Sequence, residues 1–367
     1  MTPTSSFAEF SGRLLAFIER SQAAEEAQFN SLARELFGLQ FSSVAPYRLL
    51  CASRQIAPET LTDWRQIPAV PTSAFKEFEF TSLAPAERAA VFHSSGTTGH
   101  RPSRHFHSSR SLTVYEASLL PWFKRHMLAG SDVRPVILSL APPPEQAPHS
   151  SLVHMFAAVS RAFDSHDSRF AAAAGTDNSW TLDTSASLAA LRHAEQSGRP
   201  ILALGTAFMF MHLLDALEQQ GLSIVLPPGS RVMETGGYKG RSRELPKPEL
   251  HALITALLGI PASHLVCEYG MSELSSQAYD RVAGDAPGAT ARVFHFPHWC
   301  RALVICPETG REVSNGETGL LRIFDLANVR SVMAIQTEDL AVRSGDGFEL
   351  LGRATLAESR GCSLMTA

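Results

Sequence analysis

An α/β fold with helix-covered, mostly parallel sheets and a β-barrel-like subdomain near the C-terminus is predicted by three features of this chain. Helix-period and strand-like runs alternate between about residues 187 and 267. Glycines such as Gly198 and Gly221 stand where helices should stop. After about residue 290 the texture changes to short β-rich runs joined by Gly-containing turns.

The N-terminal 5–50 read as helical, because Phe7, Phe10, Leu14, Phe17 and Ile18, then Phe29, Leu32 and Leu36, recur at helix spacing. Pro58, Pro68 and Pro71 break the next stretch into short pieces. A helix is predicted over 111–127, and a short buried strand over 135–140 that ends at Pro142-Pro143-Pro144. Helices follow over 187–196, 208–220 and 248–258, with strands at 201–204, 224–226, 230–233 and 265–267. The β-rich runs are 302–306, 319–324, 341–343 and 348–351, with turns at Asn315-Gly316-Glu317 and Gly345-Asp346-Gly347. The expected division is a helical region over 1–90, an α/β core over 91–289, a β-rich subdomain over 290–353 and a tail over 354–367.

The 367 residues suffice for one large domain or two. A net charge of -4 argues against a general nucleic-acid binder. No run approaches the roughly 18 apolar residues of a membrane span, and Met1 to Phe17 lacks the pattern of a signal peptide. Five cysteines, Cys51, Cys267, Cys300, Cys306 and Cys362, are scattered without metal-ligand spacing, and the odd number speaks against a disulfide framework. A reducing cytoplasm is the expected location. Lys76, Lys124, Lys239 and Lys247 are the only lysines, so lysine chemistry has few candidates.

Chemistry concentrates first in His93-Ser94-Ser95-Gly96-Thr97-Thr98-Gly99. Small hydroxyl residues and glycines in one short loop after the apolar Val91-Phe92 can turn N–H and O–H groups inward to cradle phosphate. The alternative is a solvent-exposed linker. The loop lacks the Gly-Lys-Ser/Thr ending of a P-loop. Downstream come Gly236-Gly237, then Glu268-Tyr269-Gly270-Met271-Ser272-Glu273, then Thr337-Glu338-Asp339 and Leu351-Gly352-Arg353.

In this order these motifs resemble those of the adenylate-forming enzymes, the superfamily of acyl-CoA ligases, luciferases and adenylation domains. Phe75-Lys76-Glu77, the Phe92 to Gly99 loop, Thr235-Gly236-Gly237-Tyr238-Lys239 and Glu358-Ser359-Arg360-Gly361-Cys362-Ser363-Leu364 resemble more narrowly the LuxE-type acyl-protein synthetases. The resemblance implies an adenylate-forming large domain and an ATP-dependent enzyme that activates a carboxylic acid, expected to be a fatty acid, as acyl-AMP. Ser94, Ser95, Gly96, Thr97, Thr98 and Gly99 would hold the β- and γ-phosphates. Glu273 would hold Mg²⁺, with hydroxyls from Thr98 and Ser272 nearby. Asp339 would take the ribose and Arg353 ribose or phosphate oxygens. Gly236, Gly237 and Tyr269, with Gly270 beside it, would enclose the adenine, a role compatible with ordinary core packing of Tyr269.

Cys362 is the expected acyl acceptor, since a thiolate is a good nucleophile toward an acyl-adenylate. The implied partner is an NADPH-dependent acyl reductase. Direct transfer to CoA or a carrier-protein phosphopantetheine is the alternative, and a non-catalytic nucleotide-binding regulatory module a second one. Adenylate-forming ligases continue past the Arg353 position into a small domain that supplies a catalytic lysine, whereas fourteen residues without lysine follow here. Lys239 is therefore an expected substitute, with a solvated surface lysine as the equal alternative. His93 stands beside the loop, and His149 and His154 are weaker candidates for the acyl pocket. His105 and His107 read as loop residues, and Cys267, Cys300 and Cys306 as packing residues in or beside strands.

Overall fold

The computed structural model describes residues 6–20, 26–94, 101–130, 134–163, 167–176, 179–237, 245–285 and 292–354. Helices α1 (Phe7–Ile18), α2 (Glu26–Ser43) and α3 (Ala45–Ser53) are followed by β1 (Val70–Pro71), α4 (Ala74–Glu77), β2 (Ala90–His93), β3 (Arg104–His107) and α5 (Ser109–Met127). Then come β4 (Val136–Leu140), α6 (Ser151–Phe163), β5 (Arg169–Phe170), β6 (Ala172–Ala174), β7 (Trp180–Leu182), α7 (Thr184–Ser197), β8 (Ile201–Thr206) and α8 (Ala207–Gln219). Next in the chain are β9 (Arg231–Thr235), α9 (Lys247–Leu258), β10 (Leu265–Tyr269) and β11 (Ala278–Tyr279). The last strands are β12 (Cys300–Ile305), β13 (Thr318–Asp325), β14 (Ala334–Ser344) and β15 (Gly347–Arg353).

The chain divides into two compact units, one of Met1–Ser118, Met271–Gln277 and Val293–Ala367, the other of Leu119–Gly270 and Ala278–Arg292. The first unit joins the N-terminal helices to the C-terminal strands. Its five-stranded sheet runs β1-β14-β13-β12, with β15 also on β14. β12 to β15 pair antiparallel, and β1 adds in parallel to β14. Aromatic packing binds helix to sheet: Trp64 meets Phe29 and Phe324 edge-on, with ring centroids 5.2 and 4.7 Å apart. Buried Gln40 of α2 uses both ends of its amide, donating to Asn328 O at 2.8 Å and accepting from Met333 N–H at 3.0 Å. α1 begins on a reciprocal capping box between Ser6 and Glu9.

The second unit is the predicted α/β layer. Its sheet order is β11-β10-β9-β8-β4-β5, with every neighbouring pair parallel except β10–β11. β4, β9 and β10 are buried at all their positions, as strands covered on both faces must be. Leu138, Leu140, Ala203, Phe210, Leu214, Val232, Ile254 and Leu265 share one apolar core. Asp183 and Thr206 cap the starts of α7 and α8 through their side-chain oxygens.

Two local expectations are corrected. Residues 224–226 form no strand. The N–H groups of Ile224 and Leu226 instead donate to Leu257 O and Leu258 O at 2.8 and 3.1 Å, satisfying carbonyls at the end of α9 that lack a helical partner. His105 and His107 are not loop residues. They lie in β3, paired with β2, and both are buried with ring centroids 4.3 Å apart.

Candidate functional site

In the first unit, the β2–β3 hairpin brings Ser94 and Ser103 together. Ser94 N–H donates to Ser103 O at 3.3 Å, and Ser103 N–H donates to Ser94 Oγ at 3.0 Å. The backbone entering the Ser/Thr/Gly loop is thus tied to the backbone leaving it. Ser95, Gly96, Thr97, Thr98 and Gly99 lie outside the described residues, as do Lys239 and Cys362. His93 is half-buried in β2 opposite Arg104.

Glu273 meets the foot of this hairpin. The Ser103 hydroxyl donates a short hydrogen bond to Glu273 Oε1, and the Ser272 hydroxyl donates to Oε2 at 3.0 Å. All three side chains are buried. His105 Nδ1 lies 2.9 Å from Ser272 O, so the neutral ring carries its proton on Nδ1 and donates there. Burial pushes the His105 pKa down to about 4, against the opposing pull of that hydrogen bond.

The segment after Glu273 is anchored as firmly. Asp325, at the end of β13, accepts from Ser275 N–H at 2.8 Å, the Ser276 hydroxyl at 2.7 Å and Ala327 N–H at 2.9 Å. Asn328 Nδ2 donates to Glu273 O at 2.9 Å. Burial raises the Asp325 pKa despite these donors. A carboxylate surrounded by hydroxyl oxygens is therefore held on buried, hydrogen-bonded backbone, a donor chemistry that fits a hard cation such as Mg²⁺.

Asp339 and Arg353 are cross-strand partners on β14 and β15. Arg353 Nε stands 3.8 Å from Asp339 Oδ1, with the arginine side chain 83% exposed and the aspartate 15%. The contact is a long one, and the guanidinium faces mostly solvent while the carboxylate is largely covered. Thr337 Oγ1 accepts from Asp339 N–H at 3.1 Å and donates to Leu321 O at 2.8 Å, which fixes the turn of backbone that presents the carboxylate.

In the second unit, the parallel partners β9 and β10 end side by side. Gly236, exposed and at φ +66°, follows β9, with exposed Gly237 next to it. A positive φ suits glycine, and a Cβ built on either residue meets nothing within 4 Å among the described residues. Tyr269 closes β10 and is buried, and Gly270 beyond it is exposed. Just inside this edge Thr235 donates a short hydrogen bond to Glu268 Oε2, across paired Cα positions. Burial lifts the Glu268 pKa to about 7, opposed by the Thr235 hydroxyl and the Lys247 charge and reinforced by Glu234. His154 is half-buried on α6 and His149 exposed in the turn before it.

Sequence reading brought forward Ser94, Ser272 and Glu273 but missed Ser103, His105, Asp325 and Asn328, which hold them. Only Ser103 carried a signal, as part of the polar run that ends the loop.

The fold is similar to that of adenylate-forming ligases. 2-Hydroxyisobutyryl-CoA ligase in the postadenylation state, with R3-HIB-AMP, superposes at a TM-score of 0.64 and 13% identity, covering 90% of this chain and 69% of that one. An open conformation of the same ligase with 2-HIB-AMP and CoA gives 0.60 and 14%, over 96% and 76%. The chain spans half the length of ATP-bound MatB from Rhodopseudomonas palustris, which it matches at a TM-score of 0.48 and 18% identity over 75% of its own residues. The family profile "Acyl-protein synthetase, LuxE" matches residues 11–367, and the chain belongs to that family, that of AMP-forming acyl-protein ligases. The long-chain-fatty-acid–luciferin-component ligase of Vibrio harveyi is 21% identical over 352 residues, 93% of this chain and 88% of that protein. The ligase of the same name from Aliivibrio fischeri is 20% identical over 359 residues, 92% and 87% respectively.

Proposed function

We propose that this enzyme activates a fatty acid with ATP as acyl-AMP, transfers the acyl group to its own Cys362, and delivers it from there to an NADPH-dependent acyl reductase. The observation that supports the reading is the buried Ser103–Glu273–Ser272 cluster, in which two hydroxyls hold one carboxylate, in a chain of the acyl-protein synthetase family. The long-chain fatty acid in the names of both relatives supports the substrate class.

In the first step a carboxylate oxygen bonds to the α-phosphorus as the bond to pyrophosphate breaks. Positioning and charge neutralisation supply most of the catalysis in such displacements. Ser94 and the loop it enters would hold the β- and γ-phosphates. Glu273 would hold Mg²⁺, with Ser272 and Ser103 orienting its carboxylate and Thr98 as a further oxygen donor. The ion would neutralise phosphate charge. Asp339 would accept from the ribose hydroxyls and Arg353 pair with an oxygen of the nucleotide. Gly236, Gly237 and Tyr269 would flank the adenine, and His93, His149 and His154 remain proposals for the acid. Lys239 would supply positive charge at the reacting carboxylate or α-phosphate. In the second step the Cys362 thiolate attacks the acyl carbonyl, a C–S bond forms, and AMP leaves.

Pyrophosphate release over a panel of carboxylic acids tests activation, and intact-protein mass spectrometry with ATP and the best acid tests the acceptor. The expected result is release fastest with long-chain acids and one acyl mass increment on Cys362. Release without that increment would favour direct transfer to CoA or a carrier thiol. No release with any acid would leave the nucleotide-binding module as the better reading.

A further inference from the structure

Beneath the β9–β10 edge, three residues far apart in sequence converge. Glu234 and Cys267 are direct parallel-strand partners, and α9 brings His251 onto them. Cys267 Sγ lies 3.2 Å from Glu234 Oε2 and 3.7 Å from His251 Nε2, and the imidazole nitrogen lies 3.5 Å from the same carboxylate oxygen. All three residues are buried. Ligand atoms bound to one tetrahedral zinc ion at about 2.0–2.3 Å stand about 3.3–3.8 Å apart, so the triangle's edges of 3.2, 3.5 and 3.7 Å are close to those of a coordination sphere. Glu234 Oε1 is buried with no hydrogen-bond partner among the described residues, a costly arrangement for a carboxylate unless something binds it.

We propose that Glu234, His251 and Cys267 form a binding site for a zinc-class divalent cation. The site rests on the fold alone and not on the proposed acyl transfer. Thiolate, carboxylate and divalent ion sum to zero charge, which lowers the cost of burying them. On binding, the Cys267 S–H bond breaks, its proton passes to solvent, and a metal–sulfur bond forms. The Lys247 ammonium, 3.3 Å from Glu234 Oε2, is the competing cation. It starts α9 with a side chain 39% exposed, so it can withdraw into water still charged and leave the fourth position to a water molecule. Arg292 and Asp280 supply the outer support. Arg292 Nη1 lies 3.6 Å from Cys267 Sγ and is paired with Asp280, whose other oxygen accepts from Cys267 N–H at 2.8 Å. The ion would pin α9 to the strands that lead to Gly236 and Tyr269.

The test uses the full chain, stripped with a chelator and titrated with Co²⁺, then Zn²⁺. The expected result is a thiolate-to-cobalt charge-transfer band that saturates at one equivalent, disappears with one equivalent of Zn²⁺, and is accompanied by release of one proton per ion in weak buffer. Cys267→Ser removes the band. Lys247→Ala keeps it and tightens Co²⁺ binding at least about fivefold, because the competing ammonium is gone. No band in folded wild-type protein, a band unchanged in Cys267→Ser, or weaker binding in Lys247→Ala would overturn the site. Should Cys267→Ser not fold, X-ray absorption of the wild-type cobalt form decides: one sulfur among nitrogen and oxygen ligands supports the site, and none or several refutes it.

Discussion

Glu268 makes the stability of the second unit depend on pH in a direction opposite to that of an ordinary paired carboxylate. Its pKa rises from 4.5 to about 7 on folding, so between those values the folded state holds a proton that the unfolded chain has released. Stability therefore falls as pH climbs through this window and is flat above it. A shift of about 2.5 units is worth on the order of 3 kcal/mol, and more than about 2 of that is lost between pH ~5 and pH ~8. Glu268→Gln removes the titration while keeping an acceptor oxygen for the Thr235 hydroxyl. Urea unfolding of both proteins by circular dichroism across that range gives the paired difference, in which every other titrating group cancels. Relative to the Glu268→Gln variant, the wild type should lose about 2–3 kcal/mol on going from the acid to the alkaline end. A difference constant to within about 0.5 kcal/mol, or one of the opposite sign, would refute the assignment of burial as the dominant cause. Thr235 stands one residue before Gly236, so the same substitution should also flatten any change in KM for ATP near pH ~7.

Four further outcomes are expected. Glu273→Gln should lower kcat/KM for pyrophosphate release by on the order of 10²-fold, and Ser103→Ala, which removes one hydrogen bond to that carboxylate, by roughly tenfold, both read in a coupled pyrophosphate assay. Cys362→Ser should retain a stoichiometric burst of acyl-adenylate but lose the acyl increment in intact mass spectra. Lys239→Ala should slow acyl-adenylate formation in single turnover, and an unchanged rate would end the proposal for that residue. Trp64→Ala should destabilise the first unit by about 3–5 kcal/mol in chemical unfolding, because Trp64 is buried between Phe29 and Phe324.

The parallel sheet was legible because its signals are local: buried strands five or six residues long, helices of period 3.6, and glycines just past helix ends. Residues 224–226 misled for the same reason. An apolar run of three does not say whether its N–H groups face a strand or a helix end, and here two of them cap α9. His105 and His107 misled because β3 follows a polar loop and has only four residues, too few for an alternating pattern to declare itself.

The candidate site divides along a similar line. Residues proposed to touch a ligand through a short motif, such as Ser94, Ser272-Glu273 and Gly236-Gly237, were visible, because such a motif confines them to neighbouring positions. Residues that hold those motifs were not. Asp325 anchors Ser275 and Ser276 from fifty and forty-nine positions away, and Ser103 reaches Glu273 across 170. The cysteines raise the same problem in its sharpest form. Their linear spacing shows no metal-ligand pattern, yet strand pairing sets Cys267 against Glu234, thirty-three positions earlier, and α9 adds His251. Metal-ligand spacing rules describe sites built on one loop or one helix. They are blind to a triangle whose sides are a parallel-strand register and a covering helix, so the absence of a spaced motif carries little weight against a site in a sheet of this kind.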